Sequence, residues 1–138
     1  MFARKVLYSV DMPLVFQYGS NCDAERLNSP ERLGGAAVDR GLARTVQEYD
    51  IGFDVRSQIN QCAASDLVKA EGTGRAGLWP SAEYVSHIVA GLRAHECPER
   101  YVRHVTDVAA QSCTNADNEA AAKQRAMIEA LRMRISPK

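Results

Sequence analysis

Hydrophobic residues follow two different periods along the chain, and the change of period falls near residue 80. Before that point, short segments alternate between apolar and polar side chains, which is typical of half-buried strands. After it, apolar residues recur every three or four positions, which is the spacing of amphipathic helices. The pattern predicts an α+β fold in a single domain over residues 1–138, with mainly strands over 1–80 and mainly helices over 81–138.

The strongest strand signal is the strict alternation of apolar residues with polar or small ones over residues 49–55. The β signal extends back to Ala36, but the apolar residues there have the opposite parity, so we expect a turn or bulge near Gln47. Shorter strands are predicted over residues 6–10, 14–18 and 63–68.

Capping residues indicate where the helices begin. Ser81 is a good N-cap for the first long helix, Pro98 fits the first position of the second, and Asp117 can cap the third. Asp23 is a candidate N-cap for a short helix over residues 24–28. The apolar stripes of the three long helices contain Tyr84, Val85, Ile88, Val89 and Leu92, then Tyr101, Val102, Val105, Val108 and Ala109, and finally Met127, Ile128, Leu131 and Ile135.

Composition and charge exclude several classes of function. The formal net charge is zero and no basic block occurs, so we expect no binding to nucleic acid or to an anionic membrane through bulk electrostatics. We find neither a signal-peptide core nor a segment long enough to cross a bilayer. The four cysteines form no Cys-x-x-Cys pair and only three histidines are present, so no zinc spacing emerges. We expect a cytoplasmic protein with reduced thiols and with no metal or cofactor.

The segment Tyr18-Gly19-Ser20-Asn21 lies between a predicted strand and a predicted helix. Glycine allows a ligand to approach the main chain, and consecutive N–H groups before a helix can converge on an anion. Ser20 and Asn21 add side-chain donors. These four residues alone favour an ordinary turn over a binding loop, and both interpretations stay open at this point.

Longer segments change this balance. "VFQYGSNCDAERL", "ARTVQEYDIGFDVRS" and "PSAEYVSHIVAGLRAHECPERYVRHV" occur in that order and together span most of residues 14–109. They resemble the signature loop, the following strand pair and the C-terminal helical segment of the γ-glutamylcyclotransferase-like family. The resemblance implies a small β-barrel, or a curled mixed sheet, with the C-terminal helices packed outside it.

The resemblance also implies a function. The protein would release 5-oxoproline from a γ-glutamyl amide or amine, as the α-amine attacks the γ-carbonyl. Tyr18, Gly19, Ser20 and Asn21 would bind this small-molecule substrate, with backbone amides holding its γ-glutamyl part.

The chain departs from the family at the catalytic residue. The family has several strands between the two main blocks, and they carry a Leu-Asp-x-x-Glu-Gly-like stretch with the catalytic glutamate. Here the chain passes from "AEGTGRAGLW" directly to "PSAEYV". Glu71 and Glu83 flank this junction, but a polar loop and a helix N-terminus explain them better than catalysis does. The catalytic residue is therefore unknown, and the alternative function is a small-acid binding or accessory protein on the same scaffold.

Two further features bear on nucleophilic and metal chemistry. Cys22 directly follows the loop and could be a nucleophile, although a small buried filler is the better interpretation. His87 and His95 are two helical turns apart, too far to share one metal ion.

The missing strands also bear on partners. A second copy of the chain, or another protein, could complete the sheet, because single domains avoid exposed sheet edges. Alternatively, the remaining strands close differently and the third long helix covers the gap.

Overall fold

The computed structural model describes residues 17–42, 49–58, 61–68 and 77–133. Within them the chain forms an α+β fold with four α-helices and a two-stranded antiparallel sheet, which confirms the predicted class. The elements in chain order are a 3₁₀ helix (Ser20–Cys22), α1 (Ala24–Leu27), β1 (Asp50–Ser57), β2 (Cys62–Val68), α2 (Ala82–Ala94), α3 (Glu99–Ala116) and α4 (Glu119–Met133).

The sheet pairs Ile51 with Leu67 and Phe53 with Ser65, and the register shifts between Phe53 and Val55. Ile51 and Phe53 are buried as the alternation predicts, but Val55 is 43 % exposed. The shift explains this, since an extra residue in one strand reverses which face the following side chains occupy. The prediction of one apolar face over residues 49–55 is therefore wrong beyond Phe53, and also at Tyr49, which is 41 % exposed.

The predicted barrel is not supported. In the described part of the chain, the sheet has two strands and does not close. The β prediction for residues 36–42 is wrong, because these residues form no strand. Gly41 has a φ of +95°, and its N–H donates to the Asp39 carboxylate, which bends the backbone away from extended geometry. The strand over 6–10, residues 14–16 of the next strand and the bend near Gln47 lie outside the described residues.

The predicted caps of α1 and α2 are confirmed, and the predictions for the starts of α3 and α4 are wrong. Asp23 accepts hydrogen bonds from the N–H groups of the first turn of α1, and Ser81 accepts one from the Tyr84 N–H. Pro98 is not the first residue of α3 but the N-cap residue before it, with ψ 136°, and the helix begins at Glu99 without a side-chain cap. Asp117 does not cap α4, because it adopts left-handed geometry at the end of α3 (φ 50°, ψ 52°). The next residue, Asn118, accepts the Ala121 N–H in its place.

The core lies where α2 packs against α3, α4 and the sheet. Its centre is formed by the apolar stripes of α2 and α3, with Ile51 and Phe53 from the sheet and Ile128 from α4. Most of the described residues in the predicted stripes are buried, but Tyr101 and Met127 are 43 % and 49 % exposed. Leu92, Val108 and Leu131 are half-buried. Ile135 lies outside the described residues. Two polar contacts add to the packing of α4, since the Gln124 side chain accepts the Ala82 N–H and the Arg132 guanidinium donates to Thr106.

None of the described helices has the length and apolar character required to cross a bilayer.

Helix α2 contacts the loop that precedes α1 through Gly91. A methyl group at this position would lie 2.6 Å from the carbonyl carbon of Cys22, 2.6 Å from its sulfur and 2.7 Å from the Asp23 nitrogen. The Cys22 thiol also donates to the Ile88 carbonyl, at 3.7 Å. The helix and the loop backbone are therefore in direct contact, which only glycine permits at residue 91.

We expect Gly91→Ala to lower the free energy of unfolding by about 1–3 kcal/mol, because the new methyl group overlaps backbone atoms that cannot move aside freely. Urea unfolding followed by circular dichroism measures the change. Ala90→Ser is the matched control, since residue 90 is exposed on the same helix, and it should change stability by less than about 0.5 kcal/mol. A gain in stability for Gly91→Ala, as helix propensity alone would give, would show that the contact is not tight.

Candidate functional site

The segment Tyr18–Asn21 forms the entry to a 3₁₀ helix and not the end of a described strand. Gly19 precedes the helix with φ −97° and ψ −152°, which is backbone geometry that other residues adopt as well. Ser20 is buried, at 6 % exposure, and the Cys22 N–H donates to the Gly19 carbonyl. The 3₁₀ helix is three residues long, so its N-terminus alone makes no anion site.

The backbone at Gly19 closely approaches two side chains. A methyl group on it would lie 2.6 Å from the Ser65 hydroxyl oxygen and 3.1 Å from the Tyr84 hydroxyl oxygen. The loop backbone therefore lies directly against two hydroxyl groups, one from β2 and one from α2. Both residues are buried, Ser65 at 8 % and Tyr84 at 6 % exposure.

The two hydroxyl groups form a small hydrogen-bond network. The Ser65 N–H donates to the Tyr84 oxygen at 3.1 Å, and the two hydroxyl oxygens are also 3.1 Å apart. The Tyr84 ring packs edge-on against Phe53, with ring centroids 6.5 Å apart. Packing on one side and a backbone hydrogen bond on the other hold the Tyr84 hydroxyl in a defined position.

Arg32 reaches the same loop from the turn that follows α1. Its guanidinium donates to the side-chain oxygen of Asn21 at 2.9 Å, and the residue is half-buried. Because arginine only donates, this contact fixes the orientation of the Asn21 amide, with its oxygen toward Arg32. A fixed guanidinium can form two parallel hydrogen bonds to a carboxylate.

These residues line a polar pocket of about 340 Å³ that is partly open to solvent. It is lined by Gln17, Tyr18, Gly19, Ser20, Asn21, Arg32, Ser65 and Tyr84. All four residues that the resemblance assigned to substrate binding therefore line one cavity. No aspartate or glutamate is among the described residues that line it, and the charge that it contains is the cation of Arg32.

The Asp66 carboxylate interacts with the pocket residue Tyr18 but does not itself line the pocket. Partial burial raises the pKa of the Tyr18 hydroxyl, and the charge of Asp66 and a hydrogen bond to its side chain raise it further. Tyr18 therefore stays protonated at neutral pH and donates to Asp66.

For the other candidate residues that it describes, the structure gives no support to nucleophilic or metal chemistry. Burial, and then the charge of Asp23, raise the pKa of the Cys22 thiol to about 11, so the thiol is protonated at neutral pH. Glu83 is exposed in the first turn of α2 and does not line the pocket, and Glu71 lies outside the described residues. His87 contacts Asp23 at 3.4 Å. No cluster of three metal-ligating side chains occurs within the described ranges.

Four lining residues, Gln17, Arg32, Ser65 and Tyr84, were not predicted from the sequence to belong to the site. A weak signal existed for two of them. Ser65 has the same parity in β2 as the buried Ala63, and Tyr84 is the one residue with a polar tip in the α2 stripe. Because a buried hydroxyl needs a hydrogen-bond partner, this pattern favours a pairing of the two side chains. Arg32 lies in a turn with no periodic signal.

Arg32 belongs to the segment of residues 28–42, and hydrogen bonds made by this segment hold it in place. The Asn28 side chain accepts the Ala37 N–H and donates to the Ala37 carbonyl, which closes the turn. Further along, His95 at the end of α2 contacts the Asp39 carboxylate through Nε2, at 2.7 Å, and the Gly91 carbonyl through Nδ1, also at 2.7 Å. Only the protonated ring donates from both nitrogens. The Gly91 carbonyl, and then Asp39, raise the pKa of His95.

We expect this contact to make stability depend on pH. Because the folded-state pKa of His95 is raised, its contribution is complete below the unfolded-state value of 6.5 and is lost as pH rises through the folded-state value. The effect should be at most about 1 kcal/mol, since Asp39 is 44 % exposed. Thermal unfolding between about pH 5.5 and about pH 8.5 measures it. His95→Gln and Asp39→Asn should both flatten the curve, and an unchanged slope in both would contradict this account.

Comparison with known proteins adds no relative, because no family model, no curated protein and no solved structure matches this chain.

Proposed function

We propose that this protein binds a small acid of the γ-glutamyl type in the pocket around Gly19, with the ligand carboxylate on Arg32. The observation that carries the proposal is a half-buried guanidinium facing a polar cavity that no described carboxylate lines. A carboxylate ligand would supply a counter-charge inside the pocket and two oxygen acceptors.

The size and polarity of the pocket support a small ligand. A cavity of about 340 Å³ lies near the lower end of the range for small-molecule sites. Its walls offer the Arg32 guanidinium, the Asn21 amide and the hydroxyls of Ser20, Ser65 and Tyr84, all of which can donate hydrogen bonds. A ligand rich in acceptors fits this lining better than an apolar or cationic one.

The resemblance to γ-glutamylcyclotransferases narrows the proposal to the γ-glutamyl class. It rests on the loop Tyr18–Asn21 and on the two downstream segments, and the pocket is built on that loop. The second copy or partner chain that would complete the sheet stays a prediction.

We expect 5-oxoproline or a γ-glutamyl amine to raise the melting temperature and to bind measurably by isothermal titration calorimetry. Arg32→Gln should weaken binding by about 10- to 100-fold, because a hydrogen bond between charged groups contributes about 1.5–3 kcal/mol. Arg100→Gln is the matched control, since Arg100 is an exposed arginine on α3 that does not line the pocket, and it should bind like the wild type. If no acid of this class binds the wild-type protein, the proposal fails.

A second candidate function is turnover of the bound compound to 5-oxoproline. In this reaction the α-amine attacks the γ-carbonyl, a base removes the amine proton, and the leaving amine takes up a proton. The observation that favours it is the Asp66 carboxylate, which hydrogen-bonds to the pocket residue Tyr18 and could serve as this base.

Mass spectrometry tests this second function directly. We expect 5-oxoproline to form from a panel of γ-glutamyl amines and peptides, and Asp66→Asn to reduce its rate by at least about 100-fold, as loss of a general base does. Glu83→Gln is the control, because Glu83 is exposed at the start of α2 and should not affect the rate. Binding without any product across the panel would leave the protein as a binder alone.

A further inference from the structure

We infer that the pocket recognises two groups of its ligand at once, a carboxylate through Arg32 and a carbonyl oxygen through the Ser65–Tyr84 hydroxyl pair. This inference rests on the proposed function and deepens it, because it names the ligand class: compact acids that also carry an amide, lactam or ketone carbonyl. A simple monocarboxylate of the same size would bind less tightly.

The argument begins with the protons of the hydroxyl pair. Ser65 and Tyr84 have two hydroxyl protons between them, and the Ser65 N–H already donates to the Tyr84 oxygen. The contact between the two hydroxyls uses one of the two protons, whichever residue donates it. The other proton has no acceptor among the described residues, so one donor of the pair remains for a group in the pocket.

The position of the pair directs this donor toward a ligand. Both residues line the pocket, although their side chains are largely buried. The backbone of Gly19 lies against the same two oxygens. A ligand held by this loop would therefore lie next to the hydroxyl pair and its remaining proton.

The energetic consequence is selection for an acceptor. In the empty pocket, water can accept the free proton. A ligand with a carbonyl at that point replaces this hydrogen bond, whereas an apolar group displaces the water and leaves the donor unpaired. Sites that hydrogen-bond a ligand in this way discriminate against analogues that lack the partner group.

Three matched carbocyclic probes test the inference by isothermal titration calorimetry. 3-Oxocyclopentanecarboxylate carries both groups, cyclopentanecarboxylate lacks the carbonyl, and cyclopentanone lacks the carboxylate. We expect the first to bind about 10-fold more tightly than the second, and the third to bind weakest of all. These measurements use the wild-type protein and do not depend on the folding of any variant.

Variants then assign each preference to its residues. The double variant Ser65→Ala/Tyr84→Phe should bind the two acids equally, because the affinity for 3-oxocyclopentanecarboxylate falls. Cyclopentanecarboxylate should bind at least as tightly as in the wild type, since the variant has no hydroxyl donor to leave unpaired, and this binding also shows that the pocket is intact. Either single substitution keeps one hydroxyl donor and should retain the preference. Arg32→Gln should weaken both acids by the same factor and leave their ratio unchanged.

The outcomes separate this inference from the proposed function. If both acids bind the wild-type protein equally, the carbonyl preference is overturned while carboxylate binding stands. If neither acid, nor 5-oxoproline, nor a γ-glutamyl amine binds, the proposed function fails and the inference fails with it. If the preference survives in the double variant, a different group binds the carbonyl and the assignment to Ser65 and Tyr84 is wrong.

Discussion

The close contact between α2 and the loop at Cys22–Asp23 is the constraint on which the candidate site depends. It exists because residue 91 has no side chain, and any larger residue would meet backbone atoms of the loop. Tyr84 lies seven residues before Gly91, two turns away on the same helical face. One rigid helix therefore positions both the backbone of the loop and the hydroxyl beneath Gly19. The pocket depends on packing between elements far apart in sequence, and not on the loop alone.

Within the site, the hydroxyl groups are more deeply buried than the charged group. The hydroxyls of Ser65 and Tyr84 are largely buried; they share one hydrogen bond, and the Tyr84 oxygen also accepts the Ser65 N–H. The cation of Arg32 is half-buried and contacts the neutral amide of Asn21, which costs little desolvation. The exposed carboxylate of Glu31 also interacts with the charge of Arg32, but Glu31 does not line the pocket, so the guanidinium stays available to a ligand there.

The sequence predicted the local elements well and the long-range arrangement poorly. Helix periodicity and the caps at Ser81 and Asp23 act within one turn, so they can be read directly from neighbouring residues. The register shift at Asp54 and the left-handed turn at Asp117 depend on pairing and packing, and neither has a distinct sequence pattern. The same limit applies to Arg32, because its place in the pocket follows from the path of residues 28–42.

The reason for the glycine bears on whether Tyr18–Asn21 is a turn or a binding loop. A turn needs glycine when φ is positive, but Gly19 has φ −97°, a value open to any residue. A methyl group on Gly19 would instead lie close to the hydroxyls of Ser65 and Tyr84, two polar groups that border a cavity. This geometry supports the binding loop that we propose. It supports catalysis less strongly, because the described residues that line the cavity can bind and donate but cannot accept a proton as a carboxylate would.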